Sequence, residues 1–265
     1  MEEEYAATIK ENVMKRYSKI ALTGNSDCCC MPEECCSSGE SEANSSSPVQ
    51  AATTIGYDIE ELEAIPKSSI LGVGCGAPIH YAALMEGETV VDLGSGAGID
   101  VFISANKVGI QGKVIGIDMT DEMLEKARKA AKDNGYTNVE FRRGDIEKKI
   151  SVEDNYVDAV ISNCVINLTT DKVNTFKEIY RILKKDGRGR MVISDLVTDK
   201  EIDNTIDSEK WCSCIDGALI KDNYLDSIRK AGFQNVEILE ERMYMEGDKV
   251  DGRKITSLVI KAVKG

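Results

Sequence analysis

Two sets of residues in this chain of 265 have types and spacing that could do chemistry. The first is Val90-Val-Asp92-Leu-Gly94-Ser95-Gly96-Ala-Gly98-Ile-Asp100, an apolar run that ends in an acid and then a loop with glycine at every second position. Glycine lets the backbone turn tightly and approach a ligand where a Cβ would collide. Twenty residues past Gly98, a second run, Lys113-Val-Ile-Gly-Ile, ends at Asp118, where a carboxylate can accept both hydroxyls of a ribose. The second set is nine cysteines, several of them adjacent. That arrangement suits neither a simple disulfide framework nor a spaced zinc module, and reduced thiols of this kind point to a chemical use.

Charge decides which nucleoside fits the loop. A dinucleotide fingerprint spaces its glycines G-x-G-x-x-G and is free of acids, because it holds a pyrophosphate on a helix N-terminus. Here the spacing is G-x-G-x-G, with Asp92 just before it. A carboxylate there repels phosphate and suits a cation. S-adenosylmethionine has a ribose, an ammonium and a sulfonium and no phosphate, so it matches the loop. A bare strand-to-helix turn would explain the glycines, but not the acid before the loop together with the acid that ends the next strand. The pattern resembles motif I of the class I methyltransferases.

These residues need a scaffold, and the hydrophobic pattern describes one. Strands are predicted at 89–93, 113–117, 138–143, 156–161, 190–194, near 235–240 and at 255–263, with helices at 98–108, 121–133, 171–184 and 222–231. Strand-helix alternation implies a Rossmann-like α/β fold, a mainly parallel seven-stranded sheet with helices on both faces. In such a sheet ligands lie beyond the carboxyl ends of the strands. That rule gathers Asp92, Asp118, Asp145 and Ser162-Asn163-Cys164 around one crevice. The candidate cofactor contacts are Asp92, Gly94, Ser95, Gly96, Gly98 and Asp118, with Met119, Ile146 and Asn163 beside them. Asp145 either accepts from an adenine amino group or caps a helix.

Ahead of the sheet, Ile9, Val13, Tyr17 and Ile20 form a helical stripe, and the leading glutamates suit the positive end of the helix dipole. Cys28-Cys-Cys-Met-Pro-Glu-Glu-Cys35-Cys36 and a serine-rich tract to Pro48 follow; with so little to bury, the tract is expected to be mobile. Gly72-Val-Gly74-Cys75-Gly76-Ala-Pro78 is too rich in glycine and proline for regular structure. The segment from Leu196 matches neither period cleanly and is a candidate lid. The chain divides into 1–56, an N-terminal helix and cysteine-rich segment; 57–195, the cofactor-binding core; 196–220, the lid; and 221–265, the last helix and strands. Cys75, Cys164 and Cys214 fall in the glycine-rich loop, at the crevice mouth and in the lid, which argues against a purely structural use.

The formal charge of −13 argues against a nucleic-acid backbone as substrate, since phosphate binding needs a basic surface. No apolar run approaches the roughly 20 residues that span a bilayer, and the acidic start lacks a signal-peptide pattern, so a cytoplasmic protein is expected, by default a monomer. The lone His80 follows Pro78 and reads as a surface or packing residue; histidine base chemistry is not expected.

Taken together, Arg16-Tyr17 followed by clustered cysteines, Leu71-Gly-Val-Gly-Cys75-Gly, Val91-Asp-Leu-Gly-Ser-Gly-Ala-Gly98, Gly116-Ile-Asp118-Met-Thr, Ser162-Asn-Cys164-Val-Ile-Asn-Leu168 and Cys214-Ile-Asp-Gly-Ala-Leu219 resemble the arsenite S-adenosylmethionine methyltransferases of bacterial and archaeal type. The resemblance implies that Cys164 and Cys214 are ligands of trivalent arsenic and that Cys75 is a third thiol. It also implies an N-terminal cysteine joined with Cys75 in a redox relay. Five cysteines lie between 28 and 36, and spacing does not choose among them; Cys35 and Cys36 are candidates. One departure is Leu183-Lys-Lys-Asp-Gly-Arg-Gly-Arg190, where the family usually reads Leu-Lys-Pro-Gly-Gly-Arg.

The physical logic agrees with the resemblance. Trivalent arsenic is soft, so thiolates bind it where oxygen ligands would not. Three sulfurs leave arsenic one lone pair, which can displace a methyl group in line from the sulfonium, and positioning supplies much of the acceleration. Transfer formally oxidises arsenic; a dithiol could reduce it again as a disulfide, later reopened by thioredoxin or glutathione. Two other readings use fewer of these residues: a methyltransferase for a small organic acceptor such as a quinone-like ring carbon, and a thiol protein that sequesters soft metals without turnover.

Overall fold

The computed structural model describes residues 2–24, 47–185, 187–201, 211–212, 214–246, 250 and 252–265. Seven strands form one sheet in the order β3-β2-β1-β4-β5-β7-β6: β1 Thr89–Leu93, β2 Lys113–Asp118, β3 Val139–Arg143, β4 Ala159–Asn163, β5 Arg190–Thr198, β6 Asn235–Glu246 and β7 Lys254–Val263. The first five pair in parallel, and β7 enters antiparallel between β5 and β6. The inner parallel strands β1 and β4 are buried on both faces, as a covered sheet requires, whereas the edge strand β3 buries only Phe141. Helices α4 Ile99–Val108, α5 Asp121–Asp133, α6 Lys172–Ile182 and α7 Lys221–Lys230 cover the two sides. Two apolar clusters, one centred on Phe176 and Tyr224 and the other on Phe102 and Phe141, fill the spaces between.

Three elements precede the sheet: α1 Glu2–Thr23, α2 Pro48–Ile55 and α3 Ile59–Glu63. The α1 stripe buries Ile9, Val13 and Ile20, while Ser18 donates to Glu122 at 2.7 Å and Lys126 donates to the Ala21 carbonyl at 3.2 Å. Sequence reading placed no helix at α2, yet its signals are local. Ser47 Oγ accepts from the Gln50 N–H, the Gln50 side chain accepts from the Ser47 N–H, proline opens the first turn and Gly56 closes it at φ +118°. This is a complete capping box.

Most strands fall within two residues of the sequence reading. A larger difference is β5, expected to stop at 194. It continues to Thr198 because β7 is long enough to pair with it through Thr198↔Ile255. Residues 196–198, grouped by sequence with the lid, are therefore buried strand. β4 is displaced to 159–163, and β6 runs on to Glu246 through two register shifts. The cysteine-rich segment, with the relay candidates Cys35 and Cys36, lies outside the described residues, as do 202–210 of the lid. Among the described residues no helix is long and apolar enough to cross a membrane.

Candidate active site

The carboxyl ends of β1, β2 and β4 open into a cleft. Gly94 and Gly96 line it, and their φ values of +68° and +51° are ones that side-chain-bearing residues rarely adopt. A Cβ at Gly94 would land inside the Val165 side chain. The loop is pinned to β2: the N–H groups of Gly94 and Ser95 donate to the Ile117 carbonyl, at 2.7 and 3.1 Å. Gly96 N–H donates to Asp118 Oδ2 at 2.9 Å, and Thr120 N–H to Oδ1 at 2.8 Å. Burial raises the Asp118 pKa against these two N–H groups.

Of the candidate cofactor residues, Gly94, Gly96, Asp118, Met119, Asp145, Ile146 and Asn163 line the cleft. Asp92, Ser95 and Gly98 form its underside instead. Gly98 is the N-cap of α4, at φ +99°, and Ser95 Oγ is buried without a hydrogen-bond partner. Asp92 is buried, and burial, then Asp100 and Asp118, push its carboxyl far above the usual range. Asp100 is pushed up to about 6, chiefly by burial, although Tyr57 OH donates to it at 2.8 Å. Three acids thus oppose one another under the loop, and a cation in the cleft would relieve them.

Sequence reading missed one wall of this cleft. Lys10, Val13 and Tyr17 of α1 line it, and Lys10 Nζ meets Asp145 Oδ2 at 2.9 Å and Glu147 Oε2 at 2.8 Å. Burial works against the charge of Lys10, but its hydrogen bonds to Glu147 and Asp145, which accept, outweigh it and raise the pKa. Asp145 Oδ1 also accepts from Glu147 N–H at 3.0 Å. This bond closes a turn, since no helix follows Asp145 for it to cap, and the side chain faces the cleft. The α1 stripe was visible in sequence; that its polar flank reaches 135 residues along the chain was not.

Cys164 and Cys214 line the same cleft. Both adopt the left-handed backbone conformation, φ +58° and +66°. Cys164 N–H donates to the Ser194 carbonyl at 2.7 Å, and Cys214 Sγ donates to the Cys164 carbonyl at 3.0 Å. Hydrogen bonds with Cys214 and then Cys75, and burial after them, hold the Cys164 thiol well above its ordinary pKa of 9.0. Cys75 does not line the cleft; it packs behind, 0% exposed, in one cluster with Cys164, Cys212 and Cys214. Cys75, Cys164 and Cys214 are in no disulfide.

The Cys75 loop is held by Asn163, whose Oδ1 accepts from Cys75 N–H at 3.1 Å. Its Nδ2 donates to the Gly76 carbonyl and to Tyr57 OH, at 2.6 and 2.9 Å. A Cβ at Gly74 would press on that amide, which explains the glycine. The segment bearing Cys214 is clasped as firmly. Trp211 Nε1 donates to the Leu168 carbonyl at 3.0 Å, Asp216 pairs with buried Arg253 at 3.0 Å, and Gly217 rests against the Asn167 carbonyl too closely for a side chain. His80 lies elsewhere, on the surface, paired with Glu61 at 2.8 Å.

The donor set fits S-adenosylmethionine. Each Asp118 oxygen accepts one N–H and keeps a further acceptor site for a ribose hydroxyl, the loop has no Cβ to obstruct approach, and the acids beneath it favour positive charge. Fold and cleft together define a class I S-adenosylmethionine-dependent methyltransferase. The family model described as a methyltransferase domain matches residues 84–232. The chain belongs to that family. It is 41% identical over 237 residues to the arsenite methyltransferase of Halobacterium salinarum, covering 86% of this chain and 58% of that protein. To the arsenite methyltransferase of Homo sapiens it is 37% identical over 170 residues, 60% and 44% of the two chains. The crystal structure of an arsenic(III) S-adenosylmethionine methyltransferase from Chlamydomonas reinhardtii superposes with a TM-score of 0.65 at 33% identity, covering 83% of this chain and 75% of the other. The chain spans about half the length of the curated relatives it matches.

Proposed function

We propose that this chain transfers the methyl group of S-adenosylmethionine to trivalent arsenic, presented as arsenite or its thiol conjugates and held by Cys75, Cys164 and Cys214. The observation that carries the reading is the cluster of buried thiols around Cys164, with Cys164 and Cys214 lining the same cleft as Gly94, Gly96 and Asp118. S-adenosylmethionine supplies a methyl group on a cationic sulfur. Asp118 orients the ribose, and the loop acids Asp92 and Asp100 favour the positive charge. Val13, Tyr17 and Met123 line the cleft with apolar and aromatic surface, which limits water near the transfer.

The protonation state of Cys164 suits arsenite. With its pKa raised, Cys164 is a neutral thiol at pH 7. Each neutral thiol that forms an As–S bond gives its proton to a departing hydroxyl of arsenite, which leaves as water, so three thiols displace three waters with no net proton change. Soft sulfur is the appropriate donor for the ion. The arsenic lone pair, not a deprotonated atom, then attacks the methyl carbon, so no histidine base is needed. Return of oxidised arsenic to the trivalent state is assigned to Cys75 with an N-terminal partner such as Cys35 or Cys36, the resulting disulfide being reopened by thioredoxin or glutathione.

Cys164→Ser and Cys214→Ser test the assignment. Each is expected to bind S-adenosylmethionine as the parent does and to lose more than about 100-fold in arsenite methylation, since even outer partners of a metal site cost 10–100-fold. Mass spectrometry of methylated arsenic, with calorimetry of cofactor binding, provides the two readouts. Undiminished methylation by both variants would defeat the reading.

A further inference from the structure

Arsenic with three sulfurs makes no use of Asp195, yet this carboxylate stands among the thiols. Cys75 Sγ, Cys164 Sγ and a carboxylate oxygen of Asp195 lie within 4.8 Å of one another, and all three residues are buried. Asp195 sits on β5 one residue past Ser194, whose Oγ lies 3.4 Å from Cys75 Sγ. Tyr224 OH donates to Asp195 Oδ2 at 2.7 Å. Backbone N–H groups of Asn167 and Leu196 face the carboxylate, but Oδ1 is left buried without a hydrogen bond. A carboxylate oxygen without a partner is costly in so dry a place, and nothing in methyl transfer employs it.

Two sulfurs and one carboxylate oxygen are poor donors for trivalent arsenic, which prefers a third sulfur. They are good donors for a divalent cation of borderline softness. Zinc takes cysteine sulfur at about 2.3 Å and carboxylate oxygen at about 2.0–2.2 Å in a tetrahedron, which places its ligands roughly 3.4–3.8 Å apart. Atoms already within 4.8 Å of one another need close by only about 1 Å to reach that spacing. Charge also balances: two thiolates and a carboxylate against a dication leave one negative charge, and the buried Lys172 ammonium, which interacts with Asp195 and Cys214, offsets it.

We propose that Cys75, Cys164 and Asp195 form a binding site for a thiophilic divalent cation of the zinc and cadmium class, and that its occupancy excludes arsenic from the shared thiols. Competition rests on the arsenic reading; cation binding does not. Binding converts two thiols to thiolates and releases their two protons to solvent for each cation taken up; the fourth position is filled by water, or by Cys214, which then releases a third proton.

Cadmium chloride is the probe, added to the reduced full-length chain with Cys28, Cys29, Cys30, Cys35 and Cys36 replaced by serine so that the buried set alone reports. The expected result is one equivalent bound, seen as sulfur-to-cadmium charge-transfer absorption, and loss of arsenite binding in proportion. Asp195→Asn is expected to weaken cadmium at least about 10-fold while arsenite retention, measured by elemental mass spectrometry after gel filtration, changes less than twofold. Equal cadmium affinity in the two proteins, or cadmium and arsenite retained together, would overturn the proposal. Zinc-edge X-ray absorption on the protein with Asp195 intact decides the matter if the substituted protein does not fold: a shell of two or three sulfurs plus oxygen supports the site, and four sulfurs refutes it. Cadmium bound without any arsenite binding leaves the cation site standing and defeats only the arsenic reading.

Discussion

The cofactor loop and the thiol centre both require positive φ, and they meet the requirement with opposite residue types. Gly94, Gly96 and Gly98 take φ of +68°, +51° and +99°, whereas Cys164 and Cys214 take +58° and +66°. For glycine the conformation is free of side-chain strain. For a residue with a Cβ it costs roughly 1–2 kcal/mol, and such strain persists only where the surroundings over-determine it. Those surroundings are present: the Ser194 carbonyl holds the Cys164 N–H, and the Cys164 carbonyl holds the Cys214 thiol. At the loop the backbone itself must come near the ligand, so the side chain is dispensed with. In the thiol centre the side chain is the ligand, so the fold tolerates the strain.

The largest expected effect lies on the glycine side. Gly94→Ala puts a methyl into Val165 at a positive φ, and overpacking plus the backbone term should cost about 2–4 kcal/mol of stability in chemical unfolding. Cofactor affinity should fall with it, while arsenite retention survives under conditions where the protein is folded. If Gly94→Ala binds S-adenosylmethionine normally, close backbone approach is not what the loop is for.

A second test addresses the charge beneath the loop. Burial pushes the Asp100 carboxyl up to about 6 in the folded protein from an ordinary 3.8, so between these pH values the folded state holds a proton that the unfolded chain has released. Stability contributed by this group is present below about pH 4 and lost as pH rises toward 6. Asp100→Asn should flatten that part of the profile, by on the order of 2–3 kcal/mol at most, in unfolding midpoints measured across the range. S-adenosylmethionine should bind less tightly to the variant, since one acid that favours its charge is gone.

The smallest effect sharpens the strained side. Replacing Cys164 by glycine or by alanine removes the same thiol, but only glycine is at ease at φ +58°. The glycine variant should therefore be the more stable of the two by about 1 kcal/mol, reversing the ordinary order in which alanine wins through the unfolded chain. Equal stability, or the ordinary order, would mean that the thiol centre carries no backbone strain.

Much of the cofactor side was legible in sequence because backbone constraints leave a trace in residue type. Glycines at fixed spacing, an acid at each strand end and apolar runs bounded by turn residues located β1, β2 and the loop nearly to the residue. The thiol side was legible as a set of residues but not as an arrangement. Nothing local indicates that Asn163 grips the Cys75 loop 88 residues earlier, or that Cys75 sits behind Cys164, away from the cleft wall. Asp195 was missed for a specific reason: the apolar pattern of β5 breaks at Ser194-Asp195, and a single strand cannot reveal that a long antiparallel partner will carry it onward. The α1 wall was missed because an apolar stripe shows that a helix is covered, not what covers it.

Trp211 is the single tryptophan of the chain. Its indole is tethered to the Leu168 carbonyl, packs in the cluster of four thiols and has the Lys172 ammonium 5.4 Å from its ring. All tryptophan emission from this protein thus originates beside the sulfur atoms. Heavy-atom quenching there converts occupancy of the thiols into an optical signal without any label.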